Sequence, residues 1–194
     1  MRRRRERGFS LLEMLAVVTI LLILGAMASP QLMRSIRTYR LESSARQVGD
    51  ILKRTRYEAM RRNQRLATAY RAPAGARGAE LGIDFNMNGS LDTGEPRAHM
   101  PANLQIYQWT FGPYWVSSPD YTNTMLGTTI TFGPDGTALE LSGGNWQLAS
   151  NIPSVYLYTS PDWGDYYVVT VTPAGNVKPW KYSRGPPWGW QPLR

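Results

Sequence analysis

Met1 to Pro30 read MRRRRERGFSLLEMLAVVTILLILGAMASP, and this stretch decides how the rest of the chain is organised. Five arginines and one glutamate fall within Met1–Gly8. From Leu11 to Ala28 the chain is apolar except for Glu13, Thr19 and Gly25. As a helix this segment would be about 27 Å long, close to the roughly 30 Å hydrocarbon core of a bilayer. Arginines ahead of such a segment stay on the cytoplasmic side, so the remainder is expected on the outer side. A cleavable secretory signal has a shorter apolar region of about 7–15 residues followed by small residues, which Ala26 to Ser29 would supply. Glu13 argues against that reading, because a carboxylate inside a lipid-embedded helix costs about 3 kcal/mol unless it is paired. On these residues alone, a plain uncleaved signal anchor with an incidental glutamate stays open.

With Gly8 closing a short basic leader, Phe9 after it and Glu13 inside the apolar run, the segment resembles the type IV prepilin signature. The resemblance implies cleavage by a prepilin peptidase between Gly8 and Phe9, N-methylation of Phe9, and pairing of Glu13 with the Phe9 amine of a neighbouring subunit. Such a pair would act as a registry device. Two charges that are each costly in lipid neutralise one another only when subunits meet in register. Pro30 also sits where pilins often carry a helix-kinking proline, and it removes a backbone donor there. The implied location is the bacterial inner membrane, single-pass, with the N-terminus cytoplasmic, the C-terminal domain extracytoplasmic, and a filament after assembly.

From Gln31 to about Arg62 the helical period continues. Leu41, Ala45, Val48, Leu52 and Ala59 form one apolar stripe, and nine basic residues from Arg34 to Arg62 fill the other faces. Glu42, Asp50 and Glu58 lie among them, which favours a solvated face over a nucleic-acid-binding helix. Tyr57-Glu58-Ala59-Met60-Arg61-Arg62-Asn63 resembles the end of the long helix in GspH/FimT-type minor pilins.

Beyond Asn63 the pattern turns to β. Strands are expected near 65–70, 80–85, 103–109, 128–132, 136–141, 154–159, 166–172 and 176–182, separated by turn residues such as Asn88-Gly89, Pro134-Asp135-Gly136 and Ala174-Gly175-Asn176. The fold class is α+β: a long N-terminal helix, transmembrane in its first half, packed on a C-terminal antiparallel β-sandwich. The expected organisation is a leader at 1–8, a transmembrane and assembly helix at 9–30, and an amphipathic second half at 31–63. A β-rich globular domain follows at 64–182 and a Pro/Trp-rich tail at 183–194. Ile130-Thr131-Phe132-Gly133-Pro134-Asp135-Gly136 and Tyr167-Val168-Val169-Thr170-Val171-Thr172-Pro173-Ala174-Gly175 strengthen the resemblance to GspH/FimT proteins. The resemblance leaves out the insert at 110–127 and the tail. It implies a structural minor pilin or pseudopilin of a type II secretion system or type IV pilus. Its implied partners are other pilins or pseudopilins, the prepilin peptidase and the inner-membrane assembly machinery.

Two further motifs suggest ligands. Asp84, Asn86, Asn88, Ser90, Asp92 and Glu95 fit the calcium-loop pattern of the EF-hand, with Gly89 at the sharp turn. The alternative is an Asn-Gly hairpin whose polar groups bond to its own backbone. The run from Lys178 to Trp190 interleaves cations with aromatics, as single-strand nucleic-acid binders do. Lys178, Lys181, Arg184 and Arg194 would then contact DNA, giving an extracellular DNA-binding minor pilin for DNA uptake. DNA-binding relatives of the FimT type carry a C-terminal Gly-Arg-x-Arg element, whereas the matching place here reads Gly175-Asn176-Val177-Lys178. The aromatics could equally bind sugar rings, fold back over the sandwich or dock against a partner subunit, and docking or subunit contact is the favoured use.

Composition narrows the classes. The absence of cysteine excludes disulfides, thiolate metal sites and a cysteine nucleophile. Half of the formal charge of +8 resides in Met1–Gly8, where it reads as a topology signal. His99 is the only histidine and is expected on a surface loop, and no nucleophile or phosphate-loop motif is present. The chain is not expected to be an enzyme.

Overall fold

The computed structural model describes residues 10–102, 104–107, 124–126, 129–159, 166–183 and 189–193. It resolves into two compact units, Met1–Tyr39 and Arg40–Arg194. One helix, α1 (Leu11–Arg62), contributes to both.

Across residues 11–28 α1 is apolar on every side apart from Glu13 and Thr19. An eighteen-residue window reaches a mean hydropathy of 2.5 with none of it buried. The helical assignment runs through Pro30, although proline offers no N–H to the carbonyl one turn earlier. Among the described residues this is the one helix long and apolar enough to cross a membrane.

In the second unit the helix becomes one-sided. Leu41, Ala45, Val48, Leu52 and Ala59, the expected stripe, are buried, and Ser44, Gly49, Ile51 and Thr55 widen it. The two buried hydroxyls are satisfied within the helix, Ser44 Oγ donating to Arg40 O at 2.9 Å and Thr55 Oγ1 to Ile51 O at 2.8 Å. The basic faces are laced with ion pairs: Arg46–Glu42 at 2.8 Å, Lys53–Asp50 at 3.6 Å, and Arg61 and Arg62 on Glu58 at 2.8 and 3.0 Å. That arrangement fits the solvated-face reading. Asn63, at φ 50°, ends the helix. Its N–H donates to Met60 O and the Gln64 N–H to Ala59 O, which is a Schellman closure.

Twelve strands follow among the described residues: β1 (Leu66–Arg71), β2 (Glu80–Asp84), β3 (Arg97–His99), β4 (Leu104–Tyr107), β5 (Thr124–Leu126), β6 (Thr131–Phe132), β7 (Ala138–Ser142), β8 (Asn145–Leu148), β9 (Ile152–Thr159), β10 (Tyr166–Val171), β11 (Val177–Ser183) and β12 (Gly189–Pro192). One sheet has the order β3-β2-β1-β6-β7-β8 and the other β12-β11-β10-β9-β4, with β5 also on β9. Every pairing is antiparallel except β5 on β9. One core joins Leu41, Val48 and Leu52 of the helix to Leu66, Leu81 and Phe132 of the first sheet and Val155, Leu157, Val169 and Val171 of the second. The expected helix-on-antiparallel-sheets architecture is therefore present. Four strands lie outside the expected set: β3, β5, β8 and β12. β5 falls in the segment read as an insert, and β12 makes part of the expected tail a sheet strand on β11.

Candidate functional site

Gly8 and Phe9 lie outside the described residues. Glu13 stands in the first turn of α1, exposed among Leu11, Leu12 and Met14. Leu11 is 84% and Leu22 69% exposed, so the apolar surface of this segment has no cover among the described residues. A helix of this kind suits lipid or the company of other apolar helices, and a carboxylate in either setting is costly unless it is paired or hydrated.

Asp84, Asn86, Asn88, Ser90, Asp92 and Glu95 come together in the loop between β2 and β3, where the carboxylates face the loop's own donors. Asp84 Oδ1 accepts from Asn88 N at 3.2 Å and Oδ2 from Gly89 N at 2.7 Å. Glu95 accepts from Phe85 N and Asp92 N at 2.9 and 2.7 Å. Asp92 Oδ2 accepts from Asn86 and Asn88 Nδ2 at 2.8 and 2.9 Å. Among the described residues no group of three or more His, Cys, Asp or Glu is arranged to hold a metal ion. The polar groups of the loop thus bond to one another and to the loop's own backbone.

The described parts of the aromatic run lie on the paired strands β11 and β12. Trp190 meets Tyr182 edge-on at 5.3 Å and Tyr156 at 6.0 Å, and Trp180 Nε1 donates to Thr170 Oγ1 at 3.0 Å. These rings fold back on the sheet. Lys178 and Lys181 are three residues apart on one strand and so point to opposite faces. Lys181 belongs with Val177 and Pro179 on the helix side, its Nζ 5.8 Å above the Tyr167 ring, while Lys178 is exposed on the other side. Arg184 and Arg194 lie outside the described residues. Strand parity therefore separates the two described lysines proposed to contact one DNA strand.

Two features were not expected. The first is Arg56, whose Nε donates to Gly136 O at 2.9 Å and Nη2 to Ala174 O at 3.2 Å. It joins the turns that end both of the β motifs resembling GspH/FimT proteins. Gly136 and Gly175 hold φ of 79° and 78° there, conformations that favour glycine. The second is Glu80, buried in a row formed by Arg71, Glu80 and His99 across β1, β2 and β3. Arg71 lies 3.0 Å, Arg97 3.5 Å and His99 Nδ1 3.0 Å from its oxygens. Burial pushes its carboxyl up, but Arg71, His99, Arg97 and Arg77 outweigh that and hold it below the ordinary glutamate value. The same arginines reach the 84–95 loop, Arg71 donating to Leu91 O and Arg97 to Asp92 O. His99 thus sits on a strand and not in a loop. The missing signal was strand β3, too short at three residues to show a period.

Comparison with known proteins adds three findings. Residues 3–29 match the prokaryotic N-terminal methylation motif. Residues 44–175 match the family described as type II transport protein GspH. The crystal structure of the type IV minor pilin FimU from Pseudomonas aeruginosa is similar at a TM-score of 0.46 and 14% identity, over 73% of this chain and 88% of that one. No curated protein matches the chain.

Proposed function

The chain belongs to the GspH family of type II transport proteins, a family of non-enzymatic pilins and pseudopilins, and from that premise we propose how it enters a filament. The leader is cut between Gly8 and Phe9 by a prepilin peptidase, and the new Phe9 amine is methylated. Before assembly the subunit rests in the bacterial inner membrane, with its leader cytoplasmic and residues beyond Pro30 extracytoplasmic. It then packs into a filament of other pilins through the helix, with Glu13 neutralising the Phe9 amine of a neighbour.

The observation that carries this reading is a fully exposed apolar helix with one carboxylate in its first turn, inside a segment matching the methylation motif. A carboxylate unpaired in lipid costs up to about 3 kcal/mol, the value at the middle of a span, and pairing across subunits removes most of that cost while fixing their stagger.

The test is the intact mass and N-terminal sequence of the membrane-extracted protein, wild type beside Gly8→Ala. The expected product is a chain beginning at methylated Phe9, absent from the variant. A chain retaining its arginines, or cut after Ser29, refutes the proposal. Glu13→Leu should be processed normally yet be lost from purified filaments.

A further inference from the structure

Asn88-Gly89 is the single Asn-Gly pair in the chain, and its surroundings bear on its chemistry. Asparagine before glycine loses ammonia spontaneously when the glycine nitrogen attacks the side-chain carbonyl carbon, because no glycine side chain hinders the approach. Asn88 is exposed, so solvent water reaches it. Each group that reaction needs is nevertheless held. The nucleophile, Gly89 N, donates its hydrogen to Asp84 Oδ2 at 2.7 Å. The leaving group, Asn88 Nδ2, donates to Asp92 Oδ2 at 2.9 Å. The side-chain oxygen, Asn88 Oδ1, accepts from Ser90 N at 2.8 Å.

We infer that Asn88 is a spontaneous deamidation site held in a slow regime by Asp84 and Asp92. In the reaction, Gly89 N gives up its proton and forms a bond to Asn88 Cγ. The Cγ–Nδ2 bond breaks, and the nitrogen leaves as ammonia with that proton. Water then opens the succinimide at either carbonyl, leaving aspartate or isoaspartate at position 88. The buried Asp84 carboxylate opposes the first step, since a nitrogen bonded to an anion resists losing its proton and cannot turn toward Cγ. Asp92 opposes the second step by fixing the amide. The product removes the clamp, because an oxygen anion replaces the Nδ2 donor that faced Asp92, and two like charges in contact open the loop.

The inference is tested on the full-length chain in detergent, incubated at 37 °C and pH 8 and digested with trypsin, which releases residues 78–97 as one peptide. Mass spectrometry reads the gain of one mass unit and separates isoaspartate from aspartate. The folded wild type should react at least about tenfold more slowly than the same chain in urea, the factor set by breaking one hydrogen bond to a charged group. Asp84→Ala should move the rate toward the unfolded value. Asp92→Ala changes an exposed side chain, so it tests the clamp even if Asp84→Ala fails to fold, and it should accelerate the reaction several-fold. A folded wild type that deamidates as fast as the unfolded chain overturns the inference. So does a folded Asp92→Ala protein that reacts at the wild-type rate.

Discussion

Replacing Gly175 with alanine tests the junction between the helix and the two β turns. Gly175 sits at φ 78°, where an L-residue costs about 1–2 kcal/mol. A Cβ there would lie 1.9 Å from Gly136 O and 2.7 Å from Arg56 Nε. An ordinary carbon–oxygen contact is about 3.3 Å, so the Gly136 carbonyl must retreat by about 1.4 Å. That movement breaks its bond from Arg56, worth about 1.5–3 kcal/mol because the donor is charged. The expected loss is therefore about 3–5 kcal/mol, enough to unfold a marginally stable domain. Gly143→Ala is the control: φ is 58° and nothing lies within 4 Å of the added carbon, so only the backbone cost of about 1–2 kcal/mol should appear. Urea unfolding of the Arg40–Arg194 unit, followed by circular dichroism, measures both. Equal losses for the two variants would refute the argument, since the junction would then contribute nothing beyond the turn.

Two other perturbations probe the core and the buried carboxylate. Leu52→Ala, at a fully buried position facing both sheets, should cost about 2–5 kcal/mol in the same unfolding assay, whereas Tyr57→Ala, exposed on the same helix, should cost under about 0.5. Glu80→Gln should cost about 2–3 kcal/mol near neutrality, less than a fully buried pair because Arg71 is 36% exposed and can turn to water. Glu80 is held below its ordinary value of 4.5, so its contribution is complete above that pH and lost as pH falls through the lower folded value. The stability gap between wild type and Glu80→Gln should accordingly narrow as pH falls below 4.5; a gap that stays constant down to the acid unfolding of the domain would count against the ion cluster.

The helix was legible because its signals are dense. Eighteen apolar residues and a stripe recurring at three, four and seven define both halves, and each stripe residue from Leu41 to Ala59 is buried. Strands of five or more residues, such as β1, β2, β9 and β10, were legible for the same reason. β3, β8 and β12 span three or four residues, which is under two alternations, and they depend on neighbours supplied by the fold. Glu80 was missed with β3, because nothing in the local sequence says that Arg71, Arg97 and His99 converge on it. The same limit applies to Arg56, whose partners lie 80 and 118 residues away. The separation of Lys178 from Lys181 was hidden for a different reason. Charge and aromatics in a run suggest a binding surface, but a strand sends alternate residues to opposite sides.

The strand order also sets when the domain can form. β1 needs β6, and β4 needs β9, so neither sheet is complete until residues 131–132 and 152–159 have joined elements made much earlier. At synthesis rates of about 5–20 residues per second, the roughly sixty residues between β1 and β6 represent several seconds in which β1, β2 and β3 can pair only with one another. Pairings that span so much chain are slow to close as well. On the proposed route across the inner membrane, sheets that close late leave the chain open for passage.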